Sequence, residues 1–142
     1  MTSTEISQEK IEAYEATHYN VGFGDDALVL RIGHYSPDLA RQFETAGADC
    51  ALFITAFNPF GQKHDDASNE AAHAELGKEL RALSGHVVEG EGADPTGEWG
   101  AEKSYLGLAI DAETARQLGR RFKQDAVVWI GADAIPQLLL LR

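Results

Sequence analysis

A chain of 142 residues with 44% hydrophobic and 25% charged content suits one globular domain, residues 1–142, that buries a core without staples. Its formal net charge of −11 repels polyanions, which argues against nucleic acid as a partner. Cys50 is the sole cysteine, so an internal disulfide is excluded and a cytoplasmic setting is expected, and no run of about 18 apolar residues offers a membrane span.

The start, Met1-Thr2-Ser3-Thr4-Glu5, is polar and has no apolar leader region. A highly charged helix is expected over about 5–16, with Ile6, Ile11, Ala13 and Tyr14 as its sparse apolar positions, so residues 1–18 should pack loosely. Gly22, Gly24, Asp25 and Asp26 mark a turn before a strand over 27–32. Ser36-Pro37-Asp38 then opens a helix with a capping hydroxyl, a proline at the first position and a carboxylate at the dipole's positive end. Leu39 and Phe43 share one face of it, and Gly47 stops it.

Residues from about 50 to 57 read as a central strand, because both alternating sets are apolar apart from Thr55. The strand runs into Asn58-Pro59, and a helix over about 67–83 follows with Asn69, Ala72, Leu76, Leu80 and Leu83 at helical spacing. Asn69 falls within roughly 20° of Leu76 around the helix, so it faces the core side. Further strands are expected near His86-Val87-Val88, over 105–110 after a glycine-rich acidic loop from Gly90 to Gly100, over 126–130 and over 138–141. Asp111 caps a helix carrying Ala115, Leu118 and Phe122. The fold class is α+β: a single mixed or antiparallel sheet with helices mainly on one face, partly ferredoxin-like through a split β-α-β unit.

Polar residues beside this core are the candidate site. Asn58 either makes the turn after the strand or offers its amide to a ligand at the strand end. Asn69 either caps its helix or reaches back toward Asn58, and His73 borders the same stripe. Glu102 is either a solvated loop carboxylate or a general acid or base whose proton affinity is raised by Trp99. Gln124 ties down loop backbone or completes a polar pocket, and Thr55 is a buried hydroxyl or a further contact. Arg116, Arg120, Arg121 and Lys123 crowd a helix end where the dipole favours cations, and Arg121 could meet an anionic group. His64, Asp65, Asp66 and His73 lack a metal-ligand spacing, and Cys50 reads as an inert core thiol, so neither metal nor cofactor is expected.

Several segments carry a resemblance: Leu30-Arg31-Ile32-Gly33 with Ser36-Pro37, then Phe53 to Pro59, Asn69, Gly97-Glu98-Trp99, Glu102-Lys103-Ser104, and Arg121 to Trp129. In these the chain, from about residue 19 onward, resembles a bacterial family, the domain of unknown function 3293. Phe57 stands where the family pattern has tryptophan, Asp125 where it has asparagine, and His73 where it has arginine. The resemblance implies no activity. The residues themselves suggest a pocket for a small molecule, anionic where Arg121 offers charge, lined by Asn58, Asn69, Gln124, Arg121, Thr55 and His73, with Glu102 as the catalytic group if the protein is an enzyme. The alternative is a protein-interaction module that meets a protein partner through exposed Phe60, Trp99 or Tyr105, its polar residues being structural.

Overall fold

The computed structural model describes residues 4–22, 27–93 and 101–142. The turn assigned to Gly24, Asp25 and Asp26, and Trp99 with most of its loop, lie outside them. The elements run α1 (Gln8–Ala16), β1 (His18–Val21), β2 (Leu28–Leu30), α2 (Pro37–Ala46), β3 (Ala51–Thr55), α3 (Asp66–Leu83), β4 (Val87–Ala93), β5 (Ala101–Leu108), α4 (Ala112–Arg121), β6 (Ala126–Ile130) and β7 (Pro136–Leu140). A single turn of 3-10 helix, Pro59–Gly61, follows β3. The seven strands form one sheet in the order β2-β1-β4-β5-β3-β6-β7, and every pairing is antiparallel. The class is therefore α+β.

Local chemistry accounts for the helix limits. Ser36 accepts from the Leu39 N–H to start α2, and Gly47 ends it in the left-handed conformation at φ 68°. Asp65 and Asp111 accept from the Ser68 and Thr114 N–H groups in the same way. Both carboxyls are held below the usual range by those capping bonds.

β3 lies between β5 and β6, which is why both of its faces are apolar. Leu52 and Ile54 pack against Leu76 and Leu80 of α3 and Ala115 and Leu118 of α4. Phe53 on the opposite face joins Leu106 and Val128, and Leu39 and Phe43 of α2 cover that side. α3 and α4 thus share one face and α2 takes the other. α3 leads from β3 to β4 with β5 between them, and α4 leads from β5 to β6 with β3 between them.

Three sequence expectations need correction. β1 was not anticipated; its four residues mix polarity, although Tyr19 and Val21 alternate inward as a half-buried strand requires. β4 continues through Gly90-Glu91-Gly92, which the glycine content had suggested was loop. β5 begins at Ala101 rather than Tyr105, so Glu102 sits in a strand opposite Gly92. Gly90 has a packing reason: a Cβ there would lie 2.3 Å from the Asn20 carbonyl oxygen on β1 and 3.3 Å from the Phe53 ring. Glycine lets two strands and an aromatic ring close together.

Gly90→Ala should destabilise the protein by about 1–3 kcal/mol, because backbone must move to admit the methyl group. Gly85→Ala, where a Cβ meets nothing within 4 Å, should change it by less than about 0.5 kcal/mol. Urea midpoints of the two variants check this.

Candidate functional site

The site lies at one end of the sheet, where β3 leaves, β5 and β6 enter and β7 finishes. Pro59 ends the ladder after β3, and Asn58 turns the chain in the left-handed conformation at φ 48° and ψ 64°. Asparagine tolerates this better than most residues. Phe60 and Lys123 are also left-handed, each at φ 56°, and they are linked by a 2.7 Å bond from the Phe60 N–H to the Lys123 carbonyl. Three strained positions thus meet where the β3 exit crosses the turn before β6.

Asn58 and Asn69 hold one another. The Asn58 N–H donates to Asn69 Oδ1 at 2.9 Å, and Asn69 Nδ2 returns a 2.9 Å bond to Asn58 Oδ1. Asn69 Nδ2 also donates to the His64 carbonyl at 3.3 Å, and the His64 N–H donates to Asn58 Oδ1 at 3.0 Å. Asn69 is 4% exposed and lies inside α3, so it reaches back to the strand end and is not a cap. Asn58 Nδ2 then donates to Glu102 Oε2 at 2.8 Å. The chain α3–Asn69–Asn58–Glu102 joins helix, turn and strand.

Burial raises the Glu102 carboxyl above the usual range, opposed by the Asn58 hydrogen bond and by the Lys10 charge. The cause assigned from sequence, Trp99, falls outside the described residues. Tyr14 of α1 also stands near. Burial, then the negative charges of Asp125 and Glu102, push its phenol up, so it remains a protonated donor. Asp125, 4% exposed, is held by Lys10 on one oxygen and by Arg142 at 2.6 Å on the other. Arg142 also lies over the Phe60 ring, 4.6 Å from its centroid. Lys10, Tyr14, Asp125 and Arg142 were not among the sequence candidates. The asparagine-to-aspartate departure at Asp125 was a signal that could have found one of them.

The remaining candidates divide. Gln124 Nε2 donates to the Phe57 and Phe122 carbonyls, both at 3.2 Å, which ties the β3 exit to the α4 end. Thr55 Oγ1 donates to the Lys103 carbonyl at 2.7 Å and accepts from the Phe57 N–H at 3.0 Å. His73 is buried, stacked on Tyr105 with centroids 4.3 Å apart, and edge-on to Phe57. Burial lowers its basicity. Arg121 does not join the group, because its Nε pairs with Glu79 of α3 at 2.8 Å. Tyr105, expected as an exposed contact, is 3% exposed, whereas Phe60 is 42% exposed. Cys50 precedes β3 half-buried, its thiol pushed up to about 11 by burial and by Asp49. Among the described residues, surface clefts of about 590 and 510 Å³ lie elsewhere, the first bordered by Gln42, Arg81 and Glu89 and the second by α2.

The polar cluster falls within a segment matched by a known family. Residues 54–127, just over half of the chain, match the model of the family described as "Protein of unknown function (DUF3293)". The chain belongs to that family. Asn58, Asn69, Glu102 and Gln124 all fall inside the matched span, whereas α1 and Arg142 lie outside it. Comparison with curated proteins and with solved structures gives no match. No helix of the described residues is long and apolar enough to cross a membrane.

Asn69→Ala should cost about 2 kcal/mol or more, since it strands the Asn58 N–H and removes the donor to two acceptors at a buried position. A urea melt giving less than about 1 kcal/mol would show the amide to be dispensable. Glu102→Gln tests the carboxyl. A group that holds its proton more tightly when folded lowers stability as pH rises through its unfolded and then its folded value. The variant lacks that loss, so its urea midpoint relative to wild type should climb as pH rises above the ordinary carboxylate range and level off below it at the acid end.

Proposed function

We propose that the sheet end around Glu102 binds a small polar molecule, with the Glu102 carboxyl as the group that touches it. One observation supports this above the others: a carboxyl with raised proton affinity sits at a strand end, and a neutral amide on a strained turn fixes it. Structural carboxylates are commonly paired with cations or capping N–H groups, as Asp65 and Asp111 are here. A perturbed carboxyl without such a partner is a reason to suspect function. Protonated, it donates a hydrogen bond to a carbonyl, ether or hydroxyl oxygen of the ligand. Ionised, it accepts one. The same proton affinity suits general acid or base chemistry, should the bound molecule react.

The charge offered to the ligand differs from the sequence expectation. Arg121 is engaged by Glu79, and Lys10 and Arg142 both hold Asp125. The reading therefore favours a neutral, oxygen-rich molecule over an anion. The protein-interaction alternative is weakened, because Tyr105 is buried and Phe60 is covered on one side by Arg142.

Ligand-observed NMR of the full chain against a panel of small hydroxylated and carbonyl compounds tests the proposal. Binders should lose roughly tenfold or more in affinity in Glu102→Ala, which removes the hydrogen bonds of the carboxyl in either protonation state. A panel that binds wild type and Glu102→Ala equally would remove Glu102 from the site.

A further inference from the structure

We propose that α1 is a strap across the Glu102 site, latched by the Lys10–Asp125 ion pair and able to open while the sheet stays folded. The proposal rests on the Glu102 reading above and adds how that site is reached.

α1 buries no residue fully, so core packing does little to hold it. A helix of nine residues is also too short to persist alone in water. Anchors stand on either side of it. Before it, Ile6 is buried and Thr4 Oγ1 donates to the Arg142 carbonyl. After it, β1 pairs with β2 and β4, and the Tyr19 hydroxyl donates to the Tyr14 carbonyl at 2.7 Å. Between those anchors the helix meets the sheet end through Lys10, which pairs with Asp125 directly before β6, and its charge is also felt at Glu102 on β5.

Charge makes the latch necessary. α1 carries Glu9, Glu12 and Glu15 against one cation, Lys10, on a protein of net charge −11. Closing it brings like charges together. Lys10 offsets this through a buried carboxylate, and a charge-assisted bond to such a group is the strongest single polar contact available to the helix. Asp125 keeps Arg142 when Lys10 leaves, so the open state does not strand a bare buried charge. The latch can therefore release without unfolding β6 and β7.

Hydrogen exchange and carbodiimide–amine labelling of Glu102 on the full chain test this. In Lys10→Gln, exchange across residues 8–16 should rise about tenfold, with β3 and β5 unchanged, and Lys10→Arg should resemble wild type. Glu102 labelling should rise by a similar factor in Lys10→Gln and also in Asp125→Asn, which breaks the latch while keeping the Lys10 charge in the chain. Unchanged exchange in α1 overturns the strap. So does exchange that rises equally in the sheet, or labelling that rises in Lys10→Gln alone, which would trace to lost charge. Neither readout uses a ligand, so a failed strap appears here, whereas failure of the binding reading appears as no binder to wild type or Lys10→Gln.

Discussion

The reciprocal bond between Asn58 and Asn69 is the constraint on which the site depends. β3 is buried on both faces, so its exit must satisfy backbone groups while turning sharply. Asn58 turns it in the left-handed conformation, and Asn69 receives the N–H that this turn leaves without a strand partner. The same bond fixes the rotation of α3. Asn69, His73, Leu76 and Leu80 are the buried stripe of that helix, so pinning its polar end to the strand exit seats Leu76 and Leu80 over Leu52 and Ile54. His73 comes next on the stripe, between Phe57 and Tyr105, and Gly77 gives the Tyr105 hydroxyl room against the helix backbone.

From that pin the structure treats two carboxyls at one sheet end in opposite ways. Asp125 receives two cations, Lys10 from α1 and Arg142 from just beyond β7, and so serves as a structural junction. Glu102 receives an amide, which orients it without neutralising it. An amide hydrogen bond stabilises the ionised form less than a full opposite charge does, so burial prevails and the proton is held more tightly. Environment, not the carboxyl itself, separates the junction Asp125 from Glu102 with its raised proton affinity.

Much of the fold could be read from the chain because its signals are local. Ser36-Pro37, Gly47 and Asp111 act through bonds within a few residues, and the two-sided apolar pattern of β3 follows directly from interior placement. What escaped the reading was set by distant partners. β1 is a strand because β2 and β4 flank it, and Gly90 and Gly92 extend β4 because they pair with β1 and β5, which approach Gly90 too closely for a side chain. The site divides along the same line. Asn58, Asn69 and Glu102 were recognisable as polar residues beside a core, and their mutual bonds span 11 and 44 positions. Lys10 and Arg142 reach Asp125 across 115 and 17 positions, and neither shows a local pattern that distinguishes it from a solvated surface cation.

Hydrogen-bond partners distinguish the seven sequence candidates from one another. Asn69 gives its side-chain donors to Asn58 and the His64 carbonyl, and its oxygen to the Asn58 N–H. Asn58 Oδ1 already accepts two bonds, which fills its lone pairs. Gln124 and Thr55 are committed to backbone, His73 to an aromatic stack and Arg121 to Glu79. The asparagine, threonine and Gln124 Nε2 bonds hold the β3 exit, whereas the buried His73 Nδ1 has no hydrogen-bond partner among the described residues. Glu102 differs because its proton, not only its partners, is adjustable. The asparagines therefore position the turn and the strand end, and under the proposed binding role the contact with a ligand falls to one carboxyl placed by an amide chain that begins in α3.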